Sequence, residues 1–351
     1  MAARFLLYGA NGFVGEAIAR LAVQQGLQPT LAGRDGAKIA RLAAELAVAH
    51  RVFGLGDAAS IDQALTDVPV VLHCAGPFMH TSQPMVEACL RTGTHYLDLT
   101  GELPVFEALA ARHAEAEARG VMLLPAVGFD VVPTDCLAMH LKRRLPSATQ
   151  LALAFHSQGP AGLPPGTQRT VIEMVPFGNR VRRDGRLAPP ERAGQTRLID
   201  FGHGPLPATQ LTWGDIFTAH YSTGIPNIVD YAVLPTALRR QLAAMAMLRP
   251  FFTVKAVRNL AGRGVTPGPT ADERAKTVTH VWGEVRDDRG RTAVSRLHGP
   301  EAGVEWTARA ALAAVRRIAA GDASPGFRTP ALAFGADYAL EADGVTREDL
   351  D

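Results

Sequence analysis

Seven residues near the start of the chain constrain its fold more than any others. Arg4-Phe5-Leu6-Leu7-Tyr8 is a short apolar run, Gly9-Ala10-Asn11-Gly12-Phe13-Val14-Gly15 follows at once, and an Ala-rich helical pattern begins inside that turn. A strand running straight into a glycine-punctuated turn and a helix start is the opening of a parallel α/β unit. Its glycines let backbone approach a ligand, and the helix N-terminus offers free N–H groups and a partial positive charge. The G-x-x-G-x-x-G spacing of Gly9, Gly12 and Gly15 is one residue longer at its start than the commonest dinucleotide fingerprint. Its position between a predicted strand and a predicted helix marks it as a pyrophosphate cradle and not an ordinary turn. Asn11, Phe13 and Val14 are its other candidate cofactor contacts.

The alternation continues. Strands are expected at Pro29–Gly33, Arg51–Leu55, Val68–His73, His95–Leu99 and Val121–Val127. Helices are expected at Phe13–Gln25, Gly36–Ala49, Ser60–Thr66, Pro84–Arg91 and Pro104–Arg119. Repeated strand–helix alternation means a Rossmann-type doubly wound parallel sheet. After about residue 145 loops lengthen and helices become less regular. Thr277–Val285 and Arg291–Leu297, joined through Asp287-Asp288-Arg289-Gly290, read as a hairpin, and Trp306–Ala320 as a helix. The expected domains are 1–145 for the dinucleotide-binding unit, 146–322 for an α+β substrate or cover unit, and 323–351 for a tail packing back on the first.

The 351 residues carry a formal net charge of +2, too little to point to nucleic acid. Three cysteines without C-x-x-C spacing (Cys74, Cys89 and Cys136), and eleven histidines without an H-E-x-x-H pattern, argue against a disulfide framework and against a metal. They read as thiols in a reducing cytoplasm. The short apolar run before the glycine turn does not resemble a signal peptide.

Arg34 follows the second strand, where an acidic residue would bind the ribose hydroxyls of NAD. A guanidinium suits a 2′-phosphate, which favours NADP(H) over NAD(H). Asp35 beside it reads as a helix cap before a ribose ligand. Cys74-Ala75-Gly76-Pro77, after the fourth strand, is a small-residue turn placed to admit ribose and nicotinamide, and Asp57 ends the third strand towards the adenine. Tyr96, Asp98 and Asp130 lie at later strand ends and are the candidate acids, with capping as the competing role. No Tyr has a Lys four residues on, so the Tyr–Lys apparatus of short-chain dehydrogenases is missing. Leu238–Leu260 mixes apolar and basic residues, suiting either a lipid or acyl interface or a solvated helical cover.

Taken in order, Tyr8–Gly15, Ala32-Gly33-Arg34, Cys74–Pro77, Tyr96–Glu102 and Gly128-Phe129-Asp130 with Pro133 and Asp135 resemble the saccharopine dehydrogenase-like oxidoreductases, including their trans-acting enoyl reductase branch. The resemblance covers residues 4–145 well and thins afterwards. It implies an NAD(P)-binding Rossmann domain, a second α+β domain covering the nicotinamide, and reduction of an enoyl or imine double bond in a small-molecule or acyl substrate. The alternative is an NADP(H)-binding sensor or scaffold without catalysis. A homodimer and a peripheral lipid interface are the partners left open.

Overall fold

The computed structural model describes residues 4–192 and 194–350. The chain divides into two compact units, one of the described residues up to Asp130 together with Gly303–Ala333, the other of Val131–Ala302 together with the residues from Phe334.

In the first unit, β1 (Arg4–Tyr8), β2 (Gln28–Gly33), β3 (His50–Val52), β4 (Val70–His73), β5 (His95–Asp98) and β6 (Met122–Leu124) form a parallel sheet. Its order is β6-β5-β4-β1-β2-β3, with Gly326–Phe327 added beside β6. Every residue of β4 is buried, as its unbroken apolar run requires of a central parallel strand. The strand order reverses between β1 and β4, and in open α/β sheets the ligand crevice lies beyond the carboxyl ends at such a switch point. The Rossmann-type fold expected from the alternation is therefore observed, with α1 (Phe13–Gln24), α2 (Gly36–Leu46), α3 (Ala58–Leu65), α4 (Phe78–Thr92), α5 (Leu103–Ala110) and α6 (His113–Ala118) as its helices.

Several element boundaries differ from the sequence reading. The α4 helix starts at Phe78, six residues before the Pro84 expected to open it, and carries that proline in its interior. The third strand stops at Val52, although the Phe53 N–H still donates to Gly33 O at 3.1 Å, because Gly54 and Gly56 interrupt the extended run. The helix after it starts at Ala58, not Ser60, because the Asp57 side chain caps it. The expected Pro104–Arg119 helix is two helices. At Arg112 the backbone sits at φ −92°, ψ 5° and its N–H donates to Leu109 O, a tighter i−3 turn that resets the helix phase.

The helix Thr307–Ala319 belongs to the first unit, not to a 146–322 domain, and the strand Gly326–Phe327, in the tail expected to pack back on the first domain, lies in that unit too. The helix packs on α1 and β4, and the strand pairs with β6. The end of the chain divides the other way: Thr346–Leu350 pairs antiparallel with Thr292–Pro300 in the second unit.

Among its described residues, the second unit holds a nine-stranded mixed sheet. The expected hairpin is part of it, with Val278–Arg286 antiparallel to Thr292–Pro300 and also to Gln150–Gln158. Its turn is fixed by the Asp287 carboxylate, which accepts the Arg289 and Arg291 N–H groups at 3.0 and 2.9 Å. Ala154, Ile199, Phe201, Ala208 and Trp282 form a buried cluster on one sheet face.

The first unit's core rests on side chains such as Leu6, Leu31 and Leu72, each fully buried. Leu72→Ala should lower the free energy of unfolding by about 2–5 kcal/mol, from lost transfer energy and a residual cavity. Urea denaturation followed by circular dichroism measures it, and a loss under about 0.5 kcal/mol, typical of surface substitutions, would contradict a packed central strand.

Candidate functional site at the carboxyl ends of the first sheet

The turn after β1 is built so that only glycine fits. Gly9 has φ +82°, and a Cβ there would lie 2.9 Å from Ala75 N, so the turn after β1 and the turn after β4 touch backbone to backbone. A Cβ on Gly15 would come within 2.3 Å of Gly9 O. The turn is tied down by Gly9 N–H donating to Ala32 O at 2.8 Å and Gly12 N–H to Gly9 O at 2.9 Å. Gly12 caps α1 in extended conformation with no side-chain cap, so the first-turn N–H groups around Phe13 and Val14 keep their donor capacity for a ligand. Asn11 tucks against the end of β2, its Oδ1 lying 2.9 Å from where a Cβ on Gly33 would stand. These features fit a dinucleotide pyrophosphate: uncapped donors, close-packed glycine backbone and a helix dipole pointing the right way.

At the end of β2, Arg34 is exposed and makes no hydrogen bond or ion pair among the described residues. Asp35 is occupied. Its Oδ1 accepts Lys38 N–H at 3.2 Å and its Oδ2 lies 3.1 Å from Lys38 Nζ, and these contacts hold its carboxyl below the ordinary range. The cap reading of Asp35 is thus the observed one, and the guanidinium beside it stays available. Lys38 and Arg41, which the motif reading did not single out, line a cavity of about 140 Å³ with Asn11. Asp57 is exposed and caps α3 by accepting Ser60 N–H at 3.1 Å.

The turn after β4 is pinned from the far side. Cys74 N–H donates to Tyr8 O at 2.8 Å, and Thr81 Oγ1 donates to Ala75 O at 2.7 Å and faces His73 Nε2 at 3.0 Å. His73 is buried among Tyr8, Phe78 and Tyr96, and burial pushes its imidazole down to about 3, which makes it a neutral core residue. Gly76 and Pro77 lead into α4, whose first N–H groups are capped by a residue from the next loop. Glu102 accepts Phe78 N–H at 2.9 Å and Met79 N–H at 2.6 Å.

The three candidate acids separate. Tyr96 and Asp98 are both fully buried and bonded to each other, Tyr96 OH donating to Asp98 Oδ2 at 2.8 Å. Asp98 Oδ1 also accepts the N–H groups of Thr100 and Ala126, each at 2.9 Å. Burial pushes Asp98 up to about 7 against the pull of those three donors. Asp130 is only half-buried, and its carboxyl makes no hydrogen bond among the described residues. It stands over Gly101, where a Cβ would lie 3.0 Å from its Oδ2, and burial, with the Glu102 carboxylate, pushes it up to about 7. Its loop is held by Thr307, whose Oγ1 accepts Phe129 N–H at 3.1 Å, and by Phe129 packing edge-on against Trp306 at 5.3 Å between ring centroids. Thr307 lies 178 residues further along the chain, and nothing local in the sequence signals it. Among the described residues no group of three or more His, Cys, Asp or Glu could hold a metal ion, and no helix is long and apolar enough to cross a membrane.

Comparison with known proteins agrees with this geometry. Residues 5–124 match the family model described as the saccharopine dehydrogenase NADP binding domain. The human saccharopine dehydrogenase-like oxidoreductase is 26% identical over 181 residues, covering 45% of this chain and 42% of that protein. The trans-acting enoyl reductase of Mycobacterium leprae (strain TN) is 36% identical over 148 residues, covering 40% of this chain and 35% of that protein. The chain thus spans less than half the length of these relatives. Apo histidine-tagged saccharopine dehydrogenase (L-Glu forming) from Saccharomyces cerevisiae shares the fold, with a TM-score of 0.65 over all of both chains at 13% identity. The resemblance read from the motifs is therefore borne out over residues 5–124, where the glycine turn lies within the match to a saccharopine dehydrogenase NADP binding domain.

The raised Asp130 carboxyl has a consequence for stability. Its folded-state value of about 7 lies above the ordinary 3.8, so between these values the folded chain binds more protons than the unfolded one. Its contribution is whole below about pH 4 and is lost as pH rises through 7. Asp130→Asn should shrink the fall in unfolding free energy between pH 5 and pH 8, measured by urea titration at each pH. An undiminished fall would mean the carboxyl titrates normally.

Proposed function

We propose that the chain is an NADP(H)-dependent oxidoreductase that reduces an enoyl or imine double bond, with Asp130 as the proton donor. The observation that carries the reading is the pairing of an uncapped glycine turn with a half-buried, unpartnered carboxyl on one sheet's carboxyl-end loops. The glycine turn and the α1 N-terminus would hold the pyrophosphate, and Arg34 the 2′-phosphate. The turn Cys74–Pro77 presents small side chains where the nicotinamide ribose must approach. NADPH, when bound, supplies the hydride.

The remaining work falls to the chain. A carboxyl raised to about 7 still carries its proton in about half of the molecules at neutral pH and can give it to the atom left electron-rich when the double bond is reduced. Half-exposure lets the resulting carboxylate recover a proton from water. Tyr96 and Asp98 act as positioning residues, because their mutual bond and the two backbone donors on Asp98 set the loops on either side. The 36% identity to an enzyme named trans-acting enoyl reductase favours a carbon–carbon double bond over an imine.

NADPH fluorescence titration tests the cofactor assignment. Arg34→Ala should weaken NADPH by about 10- to 100-fold, the scale of charge-assisted hydrogen bonds, while leaving NADH nearly unchanged. An equal loss for both would remove Arg34 from the 2′-phosphate.

Turnover is tested by NADPH oxidation with a panel of 2-enoyl thioesters and with amino acid plus aldehyde. Asp130→Asn should lower kcat about 100-fold or more, and wild-type kcat should fall as pH rises above about 7. Tight NADPH binding with no turnover on any member would favour a cofactor sensor instead.

A further inference from the structure

The stretch after Ala232 in the second unit is unlike the rest of the surface. It folds as three helices, Thr236–Met247, Arg249–Phe252 and Lys255–Ala261, and the first and last of them have no fully buried residue. Five large apolar side chains stand exposed within fourteen residues: Met247 (84%), Leu248 (51%), Phe251 (64%), Val254 (54%) and Leu260 (64%). Single exposed apolar residues are ordinary, but a local concentration marks a contact surface.

The charge pattern names the partner. Between Asp230 and Asp272 the sequence has no acidic residue and six basic ones: Arg239, Arg240, Arg249, Lys255, Arg258 and Arg263. This surface is also firmly mounted. Arg258 pairs with Glu173 at 2.8 Å, both largely buried, and donates to the carbonyls of Phe252 and Thr253 at 2.7 and 3.0 Å. Arg249 Nε donates to Pro176 O at 2.9 Å, and Phe252 is buried. Two of the six cations therefore brace the segment, while Arg239, Arg240, Lys255 and Arg263 are exposed.

We infer that this surface docks on the face of a bilayer bearing anionic phospholipid. Met247, Leu248, Phe251 and Val254 fall within eight residues where the first helix ends and the chain turns through the second, exposed side chains able to enter the headgroup–acyl boundary. The Arg239, Arg240 and Lys255 side chains lie in the flanking helices and can reach lipid phosphates. Buried apolar area and attraction to anionic headgroups add in this mode of binding, which needs no spanning helix. A protein partner would have to match an all-cationic rim with an acidic apolar face of its own. A second copy of this chain would bring the same cations and set like charges against like.

The test uses the full chain and two kinds of extruded vesicle, phosphatidylcholine alone and phosphatidylcholine with phosphatidylglycerol at three to one, in a flotation assay at 0.1 M NaCl. The chain should float with the anionic vesicles, stay behind with the neutral ones, and be released at 0.5 M salt. Each exposed cation near an anionic surface is worth about five-fold in partitioning, so Arg239→Gln/Arg240→Gln/Lys255→Gln should lower it by about 100-fold. Phe251→Ser/Leu260→Ser should abolish flotation while leaving NADPH binding and thermal stability unchanged. Absence of wild-type flotation with anionic vesicles overturns the inference, as does equal flotation with both lipids. A concentration-dependent dimer in sedimentation equilibrium that Phe251→Ser dissolves, without flotation, would overturn it in favour of self-association.

Discussion

The loops at the carboxyl end of the first sheet have their places because two buried carboxylates accept backbone N–H groups across them. Asp98 holds Thr100 N–H and Ala126 N–H, joining the turn after β5 to the segment after β6. Glu102 holds Phe78 N–H and Met79 N–H, joining the β5 loop back to the start of α4. A carboxylate taken out of water costs several kcal/mol unless its lone pairs are met, and here each is met by two N–H groups. Glu102 also sits at the positive end of α4, where a negative charge is favoured further. These bonds hold three loops in register, and the surface that a dinucleotide would line is the surface they define.

The same network explains which parts of the architecture could be read from the chain and which could not. The glycine turn was legible because its constraint is local. A Cβ on Gly15 would meet Gly9 O six residues away, so residue type and spacing carry the geometry. β4 was legible because a continuous apolar run has one good home, the middle of a parallel sheet. The start of α4 was not legible. A helix N-terminus is recognised by the cap beside it, and this one is capped by Glu102, twenty-four residues downstream, so Pro84 looked like the natural first residue. The break at Arg112 carries no glycine or proline to announce it. The return of the tail to the first unit was expected, but which residues return and which leave was hidden for the same reason on a longer scale. Gly326–Phe327 is a two-residue strand whose only reason to exist is the open edge of β6, and the mount of the Phe129 loop on Thr307 spans 178 residues.

At the site itself, residue types were legible and their roles were not. Sequence position put Tyr96, Asp98 and Asp130 in one class, three polar groups at strand ends. Packing divides them. Asp98 and Asp130 are both pushed to about 7, and burial is the leading cause for each, yet the two groups differ in everything else that chemistry requires. Asp98 has its oxygens engaged by a phenol and two backbone amides inside the core. Moving a proton on or off it would disturb the bonds that place two loops.

Asp130 is free of that duty. Gly101 leaves room beneath it, the Glu102 charge discourages its ionisation, and no bond among the described residues claims its oxygens. On the proposed reading, a group that changes protonation in every cycle has to do so without moving its supports, and the two carboxylates would divide these tasks. Burial does most to raise Asp130, and the charge that adds to it belongs to the residue that caps α4, so the scaffold helps to tune the acid. This division fits an active site better than a purely structural knot, in which an acceptor left unbonded would be the first side chain to be replaced.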